Sequence, residues 1–206
     1  MKKNQSSATP KSPNPTATHK TRQQKHRLTA PIFLVGMMGS GKTRIGKMLA
    51  DELAVHFIDI DNIISQNEKK SINDIFNQQG EDYFRKKELT TIKKIITTPP
   101  KIKIIASGGG AFINQKVRQF LKNKKIFTLH LDVPLWVLWV RVKNNKDRPL
   151  LHIINPRKQL KKIYDIRRPI YLTANRTVPS GFGSKRKNML RLLAALLDNG
   201  MVKKIS

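Results

Sequence analysis

The chain has 206 residues, 38% of them hydrophobic, no cysteine and a formal charge of +28. The length suits one domain with a tail, and the absence of cysteine excludes disulfides, thiolate metal sites and a cysteine nucleophile, in agreement with a cytoplasmic location. The charge admits nucleic acid, an anionic substrate or a generally basic proteome, and Lys and Arg are too scattered along the chain to choose among them.

Residues 1 to 28 contain no acid and are dominated by Ser, Thr, Pro, Gln and Lys. They are expected to form a disordered basic tail ahead of a domain over 29–206. The tail lacks the apolar core of a secretory signal. A transit peptide and a nucleic-acid-binding arm stand beside the plainer reading of a solvated segment. Ile32 to Val35 reads as a buried strand, and Ile45, Met48, Leu49 and Leu53 recur at helical spacing. Between them, Gly36-Met37-Met38-Gly39-Ser40-Gly41-Lys42-Thr43 fits the phosphate-binding loop G-x-x-x-x-G-K-[ST]. Glycines let the backbone turn its N–H groups onto a phosphate, and the helix start adds positive dipole there. Lys42 would reach the outer phosphates and the Thr43 hydroxyl would ligate Mg²⁺.

His56 to Ile58 reads as a second strand ending at Asp59 and Asp61. If the chain stays extended, the two carboxylates point the same way, beside the phosphate loop. The alternative is an Asp-Asn turn capping the next helix. Ser71 to Gln79 forms a helix, Gly80-Glu81 breaks it, and a second helix carries Phe84, Arg85 and Glu88 until Pro99-Pro100. Arg85 and Glu88 are helical neighbours, for which a surface ion pair is the simple reading. Ile102 to Ala106 reads as a strand leading to Gly108, Gly109 and Gly110, either a flexible loop or a place where backbone approaches a ligand.

Gln115 to Lys124 is expected to be a helix with a basic outer face, and Ile126 to Leu131 a strand. A helix over Pro134 to Val142 carries Arg141 near its end. The following polar loop, placed at about 143–158, suits a lid or an ordinary surface loop. Gln159 to Tyr171 reads as helical up to Pro169 and carries Arg167 and Arg168. A short strand at Thr177-Val178 precedes a closing helix at 184–199. No apolar run reaches membrane-spanning length: Phe127 to Val142 is broken by Asp132. Strands alternating with helices predict an α/β fold with a parallel sheet.

From about residue 31 to 197 the chain resembles shikimate kinases. Besides the phosphate loop, Phe57-Ile58-Asp59-Ile60-Asp61 resembles the family's F-x-D-x-D, and Ser71-Ile72-Asn73-Asp74-Ile75-Phe76 with Gly80-Glu81 and Phe84-Arg85-Lys86-Lys87-Glu88 resembles S-I-x-x-I-F…G-E-x-x-F-R-x-x-E. Ser107-Gly108-Gly109-Gly110-Ala111 resembles its glycine loop, Arg148-Pro149-Leu150-Leu151 its lid, and Arg167-Arg168-Pro169-Ile170-Tyr171 its R-x-P-L-Y. Lys70, Ser65 and Ala174-Asn175 depart from the pattern.

The resemblance implies ATP-dependent phosphorylation of the shikimate 3-hydroxyl, on the route to chorismate and the aromatic amino acids. It implies a P-loop three-layer fold with a five-stranded parallel sheet of order 2-3-1-4-5, and a monomer. Gly39, Ser40, Gly41, Lys42, Thr43 and Arg44 would hold ATP, Arg141 and Pro179 would flank its adenine, and Arg148 would close over the phosphates. Thr43, and Asp59 through water, would hold Mg²⁺. Asp61 would bind the reacting hydroxyl, Arg85 and Arg167 the shikimate carboxylate, and Gly108, Gly109 and Gly110 would line the pocket. Lys42, Asp61 and Arg148 make up the expected catalytic set. A gluconate-type kinase shares the loop without needing both arginines and the triple glycine. A nucleic-acid-associated protein could dispense with Lys42, Asp61 or Arg85, so nucleic acid is expected to bind at most non-specifically through the tail.

Overall fold

The computed structural model describes residues 25–143 and 155–205. In chain order the elements are β1 (His26–Leu28), β2 (Ile32–Val35), α1 (Lys42–Glu52), β3 (His56–Asp59), α2 (Ile60–Glu68), α3 (Ile72–Thr97), β4 (Lys103–Ala106), a 3₁₀ turn (Ala111–Ile113), α4 (Gln115–Asn123), β5 (Phe127–Asp132), α5 (Leu135–Val142), α6 (Pro156–Tyr171), β6 (Arg176–Pro179), α7 (Lys185–Asp198) and β7 (Val202–Lys204). Five strands pair in parallel in the order β3-β4-β2-β5-β6. Numbered within that sheet, the order is the expected 2-3-1-4-5.

The strands are apolar on both sides because helices cover both sides. Phe33, Val35 and Ile105 point into one layer with Phe84, Ile92, Val117, Leu138 and Leu160. Ile32, Leu34 and Ile104 alternate into the other with Ile45, Leu49, Met189 and Leu192. Gly46 lets α1 lie close to the sheet: a Cβ there would come within 2.6 Å of Leu34 and 2.8 Å of Phe57. The loop ahead of α1 is thereby seated at the carboxyl ends of the strands, where α/β sheets bind ligands. Among the described residues no helix is long and apolar enough to cross a membrane.

Four expectations change. Ordered chain begins before residue 28, because His26–Leu28 pairs antiparallel with Val202–Lys204. That strand is fixed by a partner about 175 residues away, which local composition does not reveal. Pro169 does not end α6, which continues to Tyr171. The ring removes one hydrogen bond in the last turn, and burial of Tyr171 outweighs that loss. The segment expected as a lid does not stay a loop to 158: Pro156 to Lys158 form the first turn of α6, where the Lys158 N–H donates to Asn155 Oδ1 at 3.1 Å. The rest of it, with Arg148, lies outside the described residues, as does most of the tail. Finally, the chain does not stay extended through Asp59 and Asp61. Asp59 caps α2, accepting from the Asp61 N–H at 3.1 Å, and Asp61 lies in the helix's first turn. The break at Gly80 is present as a kink inside α3, with φ 82° and ψ 169°.

Candidate active site

The loop between β2 and α1 turns through two left-handed glycines, Gly39 at φ 77° and Gly41 at φ 96°. Gly41 stands directly before α1, so the helix N–H groups open toward the turn. Lys42 folds back over this loop. Its Nζ donates to Gly36 O at 2.8 Å and to Met37 O at 3.0 Å, and the residue is 8% exposed. Thr43 and Arg44 are exposed next to it, while Ser40 is fully buried.

The Thr43 hydroxyl donates to Asp59 Oδ2 at 2.7 Å. That bond joins the helix after the loop to the end of β3. Its two oxygens are hard donors, the type that Mg²⁺ takes. Among the described residues no group of three or more His, Cys, Asp or Glu side chains could hold a metal ion. The two oxygens fit Mg²⁺ held by few protein groups and completed by phosphate and water, the usual arrangement for that ion.

Asp61 faces the glycine turn after β4. The Gly108 N–H donates to its Oδ1 at 3.2 Å. A Cβ at Gly108 would lie 3.0 and 3.1 Å from the two Asp61 oxygens and 3.4 Å from Glu88 Oε1. At Gly109 a Cβ would lie 3.1 Å from the Met38 backbone nitrogen, so this turn packs against the phosphate loop. A Cβ at Gly110 would come within 2.2 Å of Arg85 Nη2. The three positions are glycine because a carboxylate pair, the phosphate loop and a guanidinium each approach the backbone. A Tyr171 hydroxyl bond to Gly109 O fixes the turn from α6, and burial pushes that phenol up to about 12.

Arg85 lies against the Phe84 and Phe76 rings, its guanidinium carbon 5.2 and 5.9 Å from their centroids. It donates from Nη1 to Glu88 Oε2 at 2.8 Å, and from Nε and Nη2 to Glu81 Oε1 at 3.1 and 2.8 Å. The Arg85–Glu88 pair is therefore not the surface pair its helical spacing suggested, since Glu88 is fully buried. Burial pushes the Glu88 carboxyl up to about 7, partly offset by Arg85; Asp61 raises it further and Arg167 lowers it. Its Oε1 has no hydrogen-bond partner among the described residues. Arg167 acts electrostatically on both Glu88 and Tyr171, as Arg85 does. Arg168 turns away and pairs with both oxygens of Asp132, at 3.2 and 2.7 Å.

At the other end of the phosphate loop, Arg141 Nη1 donates to Gly39 O at 3.0 Å and Nη2 to Gly181 O at 3.3 Å. Pro179 ends β6 opposite Asp132, where the Ser180 N–H donates to Asp132 O at 2.7 Å. Arg141 and the segment after Pro179 thus border the same loop.

Sequence spacing missed two participants. Glu88 had only its helical neighbourhood with Arg85 as a signal, and burial comes from packing. His130 is a polar residue inside an apolar strand; it is 2% exposed, and burial pushes its imidazole down to about 4. Its ring stands behind Gly36, 3.5 Å from where a Cβ there would sit, with Nδ1 3.3 Å from Thr177 Oγ1.

A family model described as shikimate kinase matches residues 38–197. The shikimate kinase of Cereibacter sphaeroides is 36% identical over 175 residues, covering 85% of this chain and 86% of its own. That of Rhizobium meliloti is 36% identical over 168 residues, covering 82% and 86%. Among solved structures, a shikimate kinase from Acinetobacter baumannii in complex with shikimate superposes with a TM-score of 0.78 at 33% identity, covering 82% of this chain and 94% of that one. A gluconokinase from Sinorhizobium meliloti gives a TM-score of 0.56 at 17% identity, covering 84% and 94%, a likeness of fold alone.

Proposed function

The chain belongs to the shikimate kinase family, and from that membership we propose how its site carries out the transfer. The reaction is ATP-dependent phosphorylation of shikimate, and the hydroxyl that receives the phosphoryl group is proposed to be the one at C3. The observation that carries the reading is the meeting, at the carboxyl ends of the strands, of the Thr43–Asp59 bond, the Gly108–Asp61 bond and Arg85 over Gly110.

Phosphoryl transfer asks for alignment and for positive charge around the moving group, more than for covalent help. The backbone N–H groups from Gly39 to Arg44 receive the phosphates. Lys42 is already directed into the loop and exchanges carbonyl partners for phosphate oxygens. Mg²⁺, held by Thr43 and through water by Asp59, would neutralise charge on the outer phosphates. Asp61 accepts the hydrogen bond of the reacting hydroxyl and orients its oxygen toward the phosphorus. It need not be a strong base, because in a loose transition state the hydroxyl loses its proton late. Gly108 fixes the Asp61 carboxylate by its N–H, so the acid is aimed before the acceptor arrives.

Arg85 and Arg167 supply the planar donors that a carboxylate takes bidentately, which lysine would not match. Gly108, Gly109 and Gly110 line the acceptor pocket. Arg141 and Pro179 flank the adenine. Arg148 is assigned to the phosphates by the family motif alone. The catalytic domain is proposed to run from His26 to the C-terminus as a monomer, with the preceding basic tail giving at most salt-sensitive, non-specific affinity for nucleic acid. Phosphorus–proton correlated NMR of the product tests the regiochemistry: a coupling to the C3 proton supports the reading, and a coupling to another ring proton refutes it.

A further inference from the structure

Among the described residues Arg85 has two carboxylate partners, and they differ in kind. Glu88 is 1% exposed and takes Nη1; Glu81 is 50% exposed and its single Oε1 takes both Nε and Nη2. Nε and Nη2 form one of the two guanidinium edges that pair with a carboxylate bidentately. The other edge, between Nη1 and Nη2, is obstructed. Glu88 holds Nη1, and the Gly110 backbone lies so close that a Cβ there would meet Nη1 at 2.5 Å and Nη2 at 2.2 Å. The two aromatic rings beside Arg85 hinder its turning to present a fresh edge. An incoming carboxylate is left the edge where Glu81 sits.

Charge argues the same way. Glu81 and Glu88 already pair with Arg85. A further carboxylate added beside Glu81 meets its charge, whereas one exchanged for Glu81 leaves the balance unchanged. Glu81 is free to go: it is half exposed and directly follows the kink at Gly80. We infer that Glu81 is a placeholder carboxylate, which occupies the open edge of Arg85 and departs to solvent as the acceptor's carboxylate takes that edge. The inference rests on the acceptor-binding role proposed above for Arg85.

The test is steady-state kinetics of the full chain with shikimate at saturating Mg-ATP, for the parent, Glu81→Gln, Glu81→Ala and Arg85→Met. Removal of the competing charge should lower the shikimate KM in both Glu81 variants by about two- to fivefold, the range that an exposed ion pair spans. The kcat should stay within about twofold, because a competitor for substrate binding acts before the chemical step. A KM that is unchanged or raised in both Glu81 variants, with a raised KM in Arg85→Met, overturns the placeholder and leaves Arg85 in place. An unchanged KM in Arg85→Met removes the underlying reading itself.

Discussion

Asp61 and Gly108 are joined across the site, the glycine N–H donating to the carboxylate at 3.2 Å with no room for a Cβ between them. Gly108→Ala should therefore act on chemistry. The added methyl would press on both Asp61 oxygens from 3.0 and 3.1 Å, moving either the acid or the turn by tenths of an ångström. A fall in kcat of about tenfold or more is expected, because misplacement by an ångström costs about 10²-fold. Gly110→Ala instead displaces the end of Arg85, so it should raise the shikimate KM with little loss of thermal stability. The same fall in kcat and the same rise in KM in both variants would contradict this division.

The Thr43–Asp59 bond predicts a metal phenotype. Thr43→Ala and Asp59→Asn should each raise the Mg²⁺ concentration needed for half-maximal turnover by about tenfold or more, as loss of a ligand or of its orienting partner does. Titration of Mg²⁺ at fixed ATP reads it out. Midpoints equal to that of the parent would remove both residues from the metal.

Glu88 and His130 give stability two opposing pH dependences. Glu88 titrates at about 7 in the folded state against an ordinary 4.5. Between those values the folded chain keeps a proton that the unfolded chain has lost, so stability falls as pH rises from 4.5 to 7. His130 titrates at about 4 against an ordinary 6.5, so there the unfolded chain holds the extra proton and stability rises with pH. Across the shared window the slopes offset each other. Glu88→Gln should therefore steepen the rise of Tm up to the ordinary histidine value and remove the fall above it. His130→Phe should uncover the fall. Parallel Tm–pH curves for parent and both variants would contradict the assignment.

Tyr171→Phe tests how far α6 positions the glycine turn. The hydroxyl is the buried partner of Gly109 O. Its loss should lower stability by about 1 kcal/mol. Because that turn packs on the phosphate loop, it should also raise the KM values for shikimate and ATP together. A stability loss with both KM values unchanged would confine Tyr171 to the core.

The sheet was legible because its strands are uninterrupted apolar runs and each crossover carries a helical repeat. The strand pair β1–β7 was not, since neither three-residue segment has an internal pattern and each is ordered by the other. Asp59 and Asp61 were legible as a pair but not as a geometry. Spacing cannot say whether a helix begins between them, and it begins at Ile60. Glu88 illustrates the deeper limit. An Arg–Glu spacing of three reads alike on a surface and in a core, and only the packing of α3 under the glycine turn makes this carboxylate buried and hard to ionise.

The most direct measurement is a coupled assay of ADP release with Mg-ATP, comparing shikimate, gluconate and no acceptor, for the parent chain and Asp61→Asn. The account predicts turnover that requires shikimate, is absent with gluconate and is lost in Asp61→Asn while ATP still binds. A folded, ATP-binding parent with no shikimate-dependent turnover, or an Asp61→Asn enzyme with the parent's kcat, would contradict it.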